Sequence, residues 1–291
     1  MPSLVFADAH LHSSPKGLGA LRIARKFMER GGWFLALVML PPWHYGVSIS
    51  RKDAIEGYRR AIEIFLNECK AAKSTGVKVA CLAGFHPAEI DKLIGIGFSP
   101  EEVLAIGEKI LEIEAGLCKE GVLDGIGEVG RQHYKSMPER FAISTSLMIR
   151  AFEYARDNDC LVHLHLENAG SVTVNTVDNL AALVKTPRRR VVFHHASIRV
   201  ARASTSIGYY ATVPGKKELL RRLFTENVSS LQGLMIESDY IDDPKRPCVS
   251  SCPWEIIENQ LSLLNEGIVD EDVLARLNID NVSKYYGVEP P

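Results

Sequence analysis

No run of about 18 consecutive apolar residues occurs in the sequence, so a membrane-spanning helix is not expected. Low-complexity tracts and Pro/Ser linkers are missing as well, which argues against disorder and against a chain divided by a flexible joint. Excess charge is nearly absent: 34 basic and 36 acidic side chains leave a formal −2 over 291 residues. A protein built to coat nucleic acid is usually basic, so any contact with DNA should be local. The start, MPSLVFADAHLH, has no basic stretch followed by an apolar run, and no secretory signal is expected from it. Paired CxxC cysteines are lacking too. Of Cys69, Cys81, Cys118, Cys160, Cys248 and Cys252, only the last two are close, at C-x3-C spacing. Reduced, buried thiols in a cytoplasmic protein are expected, with a disulfide or metal site at Cys248 and Cys252 left open.

What is present is a regular alternation. Short apolar runs fall at 4–9, 33–40, 77–84, 122–128, 161–165, 191–195, 207–213 and 234–238. They read as strands buried on both faces. Between them lie amphipathic stretches at 52–74, 100–119, 139–157, 216–227 and 253–266, followed by an appended segment at 270–286. Eight strand–helix units fit a single α/β domain over 1–291, a closed (β/α)8 TIM barrel, better than an open doubly wound sheet. Such a barrel gathers its chemistry at the C-terminal ends of its strands.

Histidines and carboxylates fall at those ends. The first strand ends Asp8-Ala9-His10-Leu11-His12, and residues two apart on a strand share a face, so His10 and His12 can grip one ion. Other strand ends carry His86, Glu128, His163 and His165, His194 and His195, and Asp239. Such a concentration at one barrel mouth is costly without compensation, and divalent cations are the usual compensation.

These motifs resemble, in order, those of the TatD family of metal-dependent hydrolases in the amidohydrolase superfamily. DAHLH (8–12), GFHP (84–87), GEVG (127–130), LVHLHLENA (161–169), VVFHHAS (191–197), GYYATVPG (208–215), LMIESD (234–239) and NVSKYYGV (281–288) carry the likeness. Departures stand at Ser13 and Ser14, at Arg131-Gln132-His133, at Glu167 where an arginine is common, and at His195-Ala196-Ser197.

The resemblance implies two divalent ions, Mg, Mn or Zn, with identity undecided. His10, His12, Glu128 and Asp239 would hold the more buried ion. Glu128 would bridge to a second, held by His165 and His194, with the choice of His194 over His195 left open. Catalytic roles fall to Asp239, as acceptor of the proton of the attacking water, and to Glu128. His86 is placed to hold a substrate oxygen rather than an ion, and Arg131 and His133 to bind an anion. His163, one residue pair deeper, is expected to orient a ligand. The rim loop at 41–45 and Lys245 and Arg246 overhang the mouth, whereas Arg188, Arg189 and Arg190 belong to the opposite rim. The expected reaction is cleavage of a phosphodiester, in DNA or a small phosphoester met locally at the mouth. An amide, lactone or phosphotriester substrate is the alternative, and a non-catalytic binding barrel the third. No protein partner is deducible.

Overall fold

The computed structural model describes residues 4–226 and 231–291. Eight strands form one parallel sheet: β1 (Phe6–Leu11), β2 (Gly32–Val38), β3 (Lys78–Ala83), β4 (Gly125–Gly130), β5 (Leu161–His165), β6 (Val191–Phe193), β7 (Tyr210–Pro214) and β8 (Leu234–Glu237). Their spatial order follows their sequence order. Beyond β8 the chain returns to β1. Leu11 bridges Tyr240 in parallel, His12 N donates to Tyr240 O at 2.8 Å and Asp239 N to His10 O at 3.0 Å. A doubly wound sheet has two free edges and a reversal of strand order. Neither is seen, and the fold is a (β/α)8 barrel.

The helices lie between the strands for the reason the periodicity gives: each buries one apolar stripe. In α1 (Ala20–Met28) that stripe is Ala20, Ile23, Ala24 and Phe27, and in α2 (Ala54–Lys73) it includes Tyr58, Ala61, Ile62 and Phe65. The series continues with α3 (Pro87–Gly95), α4 (Pro100–Lys119), α5 (Pro138–Asn158), α6 (Ser171–Leu183), α7 (Ile198–Ser206), α8 (Lys217–Thr225) and α9 (Pro253–Asn265). Ser99 and Glu102 start α4 reciprocally, with Ser99 Oγ accepting from Glu102 N and Glu102 Oε2 from Ser99 N.

Several boundaries differ from the sequence reading. β4 begins at Gly125 rather than 122, because Val122 closes the turn after α4 by donating to Leu117 O. β7 begins at Tyr210 because Ile207 and Gly208 still belong to the turn that ends α7. Asn227, the expected end of the 216–227 helix, lies outside the described residues. The expectation of reduced thiols fails at Cys118 and Cys160. They lie 42 residues apart in sequence but 6.2 Å apart at Cα, and the structure joins them, as it joins Cys248 to Cys252. Cys69 and Cys81 remain free and buried. No helix among the described residues is long and apolar enough to cross a membrane.

The appended segment folds as α10 (Glu271–Ala275), a wide turn (Arg276–Asp280) and α11 (Asn281–Tyr286), packed on the N-terminal rim of the barrel. Its asparagines satisfy backbone groups at the strand starts. Asn278 Oδ1 accepts from Ala7 N at 3.1 Å and its Nδ2 donates to Leu274 O and Gln260 Oε1, while its carbonyl takes the Trp33 indole N–H. Asn281 accepts from Gly233 N and donates to Leu231 O and Leu234 O. Asn278→Ala strands several of these buried groups and is expected to lower unfolding free energy by about 3 kcal/mol. Urea denaturation measures this, and an unchanged midpoint would show that the segment does not hold the rim.

Candidate metal centre

The site residues stand where β1, β3, β4, β5, β6 and β8 end. Two irregularities in the strand ladder help to aim them. The β1–β2 register shifts between Asp8 and Leu11, flanking His10, and the β4–β5 register shifts between Ile126 and Val129, flanking Glu128. Asp8 ties the seam of the barrel beside them, its Oδ1 accepting from Ser238 N at 2.8 Å. Gly130 is required at φ 140°, where a Cβ would overlap the His165 carbonyl oxygen.

Glu128, 3% exposed, is the hub. Its Oε1 lies 2.9 Å from His10 Nε2 and 3.2 Å from His12 Nε2. Its Oε2 lies 2.8 Å from His165 Nδ1, 3.1 Å from His86 Nε2 and 3.7 Å from His194 Nε2. Asp239, held in the left-handed region at φ 51°, brings Oδ1 to 3.9 Å from His12 Nε2. Burial alone would push Glu128 up, but the surrounding imidazoles reverse the sign and hold it well below the carboxylate range. Burial pushes Asp239 up to about 7 and His10 down to about 4, and holds His194 well below its ordinary value. His12 is raised: burial opposes its charge, but Glu128 and Asp239 outweigh it, so the space between these three groups favours a positive charge.

Hydrogen bonds on the far sides of the rings decide which nitrogens are free. His12 Nδ1 lies 2.8 Å from the Val38 carbonyl, which can only accept. Nδ1 therefore carries the proton, and in the neutral ring Nε2 presents a lone pair to Glu128. His86 is the reverse. Its Nδ1 accepts from Ala88 N at 2.9 Å at the start of α3, and Glu89 Oε1 returns the contact by accepting from His86 N. Its proton is on Nε2, so the ring donates toward Glu128. His194 Nδ1 lies 2.9 Å from Glu237 Oε2, the carboxylate–histidine pairing that orients metal ligands. His165 Nδ1 approaches Glu128 closely yet has no hydrogen-bond partner, a geometry suited to two ligands of one ion.

His194 and His195, between which the sequence left the choice open, both line the mouth. β6 stops at Phe193, and His195 adopts φ 37°, so strand alternation no longer applies. The His194 ring stacks on His10 at 3.6 Å, while the His195 ring lies 5.0 Å from His165 and 5.4 Å from His133. Among the described residues, four sets of three at the mouth bring their ligand atoms within 4.8 Å of one another: His10, His12 and Glu128; His10, His194 and Asp239; His86, Glu128 and His165; and His133, His165 and His195; a fifth, Cys248, Cys252 and Glu255, has its two thiols joined to each other.

A profile of the family described as TatD related DNase matches residues 7–287. The chain belongs to that family. Among curated relatives, an uncharacterized protein of Methanocaldococcus jannaschii is 27% identical over 291 residues, covering 99% of this chain and 98% of the other. A TatD-like protein from Archaeoglobus fulgidus superposes with a TM-score of 0.60 at 19% identity, over 97% of this chain and 100% of its own. The TatD homologue YJJV of Escherichia coli K12 gives 0.65 at 15%, over 98% of each chain. A phosphotriesterase homology protein from Escherichia coli, solved with phosphate in its active site, gives 0.63 at 11%, over 97% and 98%. These structural likenesses show the fold. TatD proteins are metal-dependent, and the donors here fit such ions, because imidazole nitrogens and buried carboxylate oxygens converge in a space that favours positive charge.

Within this TatD barrel the other expected residues divide. His86 and His133 line the mouth, a cavity of about 290 Å³ roofed by Trp43, Leu40, Ile241 and Arg246. His133 Nδ1 lies 2.7 Å from His165 Nε2. Arg131, expected to bind an anion, does not line the cavity. It is 4% exposed and its guanidinium makes a two-point ion pair with Glu167, at 2.6 and 3.1 Å, and a third bond to Thr176. Arg188 pairs with Asp178 and Arg190 with Asp159 before β6, on the opposite rim as expected. Sequence reasoning gave no role to Glu237 or Glu89. The second was legible, since His86-Pro87-Ala88-Glu89 has proline at the first helical position and glutamate at the third.

Burial pushes Glu89 up from 4.5 to about 8. A carboxyl whose folded value is raised holds its proton more tightly when folded. Its contribution is complete below about 4.5 and is lost as the pH rises to about 8. In urea titrations of chelator-treated protein between pH 5 and 8, Glu89→Gln should lose stability less steeply than the parent. Parallel profiles would contradict the assignment.

Proposed function

We propose that the chain is a phosphodiesterase, acting on DNA or on a small phosphoester, that works with two divalent ions at the barrel mouth. The observation that carries this reading is the convergence of His12 Nε2 and His10 Nε2 on one buried oxygen, Glu128 Oε1, at 3.2 and 2.9 Å. His10, His12, Glu128 and Asp239 would hold one ion, and His165 and His194 would share Glu128 with the other. Bound there, the ions would polarise the electrophile and acidify the attacking water.

The chain's own groups complete the work. Asp239, just past the end of β8 and 3.9 Å from His12 Nε2, would accept the proton of the attacking water. His86 directs its Nε2–H at the place where a substrate oxygen comes beside Glu128, and α3 holds it there. Glu237 keeps His194 turned inward. Trp43 and Ile241 cover the cavity and limit water, while Arg246 brings a cation to its lip.

One observation favours a second reading, a small lactone or phosphotriester substrate. Arg131 is neutralised by Glu167, which leaves the mouth with little cationic surface to track a polynucleotide. Hydrolysis of single-stranded oligonucleotides and of lactone and phosphotriester panels, with Mn2+ or Zn2+, separates the two. Oligonucleotide cleavage is expected, with His12→Ala and Glu128→Gln losing at least about 100-fold, roughly 3 kcal/mol in the barrier. Turnover of lactones or triesters alone would transfer the assignment to the second reading.

A further inference from the structure

Behind His10, on the side away from Glu128, a buried hydrogen-bonded chain runs to α11 on the barrel floor. Tyr286 Oη lies 2.7 Å from Ala9 O and 3.1 Å from His163 Nε2. His163 Nδ1 lies 2.9 Å from His10 Nδ1, and His10 Nε2 lies 2.9 Å from Glu128 Oε1. Both histidines are fully buried. The directions along this chain follow from its ends.

A carbonyl oxygen can only accept, so the single proton of Tyr286 goes to Ala9. The phenol oxygen then accepts, and His163 Nε2–H fills it. A neutral imidazole carries one N–H, so His163 Nδ1 is bare and takes a hydrogen bond from His10 Nδ1–H. His10 Nε2 is left with a lone pair aimed at Glu128. The opposite polarity, with Tyr286 donating to His163, would deprive Ala9 O of the shorter contact and place a proton on His10 Nε2, which blocks it as a ligand.

We propose that Tyr286 and His163 are positioning residues that set the tautomer of His10, so that the C-terminal helix docked at the barrel floor prepares a metal ligand at the mouth. The inference rests on the reading of His10 as a ligand given above. It assigns the segment after β8 a part in the site in addition to its part in sealing the rim.

Two measurements test it. Long-range proton–nitrogen NMR of chelator-treated protein labelled with 15N-histidine reads the tautomers directly. His10 is expected as Nδ1–H and His163 as Nε2–H, and His10 found as Nε2–H overturns the proposal. Zn2+ affinity by competition with a chelating dye is the second. His163→Leu, which leaves His10 Nδ1–H without an acceptor, should weaken binding by about 10–100-fold, as should Tyr286→Phe. His163→Gln keeps an acceptor for His10 and a donor for Tyr286, and should stay within a few-fold of the parent. Equal affinity of the leucine and glutamine variants overturns the proposal, and this pair decides the matter if Tyr286→Phe does not fold. A parent protein that binds no Zn2+ would instead refute the metal-centre reading, while the NMR result would still decide the relay.

Discussion

Glu128 is the charge around which the barrel mouth is organised. A buried carboxylate is costly unless it is paired, and among the described residues five imidazoles bring a nitrogen within 3.7 Å of it. His12 Nδ1 is tied to Val38 O, so its Nε2 faces Glu128 Oε1 in a space that favours positive charge. The His86 ring, committed to Ala88 N, turns a proton inward. The cluster is therefore divided between ring nitrogens suited to a cation and one suited to a substrate oxygen.

Supporting contacts carry that division into the fold. The Val38 carbonyl belongs to β2, the acceptor requirement on His86 to the first turn of α3, and the partner of His194 to the last residue of β8. His12 and His86 are fixed by the element next to their own strand, whereas Glu237 reaches His194 from two strands away inside the closed barrel. Two residues at the rim, His195 and Asp239, occupy the left-handed backbone region, which costs a non-glycine residue of order 1 kcal/mol and persists where the surroundings hold it. Asp239 is held by its N–H to His10 O, the same bond that closes β8 onto β1.

The barrel was legible from the sequence because strands buried on both faces are continuous apolar runs, and their polar ends mark one rim. All six expected ligands, His10, His12, Glu128, His165, His194 and Asp239, converge there. What remained hidden is of three physical kinds. Register irregularities at His10 and Glu128 leave no trace in residue type. The fate of Arg131 depended on Glu167, a contact across 36 residues that turns an apparent anion site into an internal ion pair. The choice between His194 and His195 stayed open because β6 ends at Phe193 and strand alternation reaches neither. The pairing of Cys118 with Cys160 belongs with these, since only the approach of α4 to the start of β5 brings them together.

The most direct measurement is metal-edge anomalous scattering from crystals grown with Mn2+ or Zn2+. Two ions sharing Glu128 are expected, one among His10, His12 and Asp239 and the other beside His165 and His194. The His86 ring should stay bonded to Ala88 and outside the coordination of both. A single ion bound away from His10 and Asp239, or an ion on His86 Nε2, would contradict the assignment of the centre.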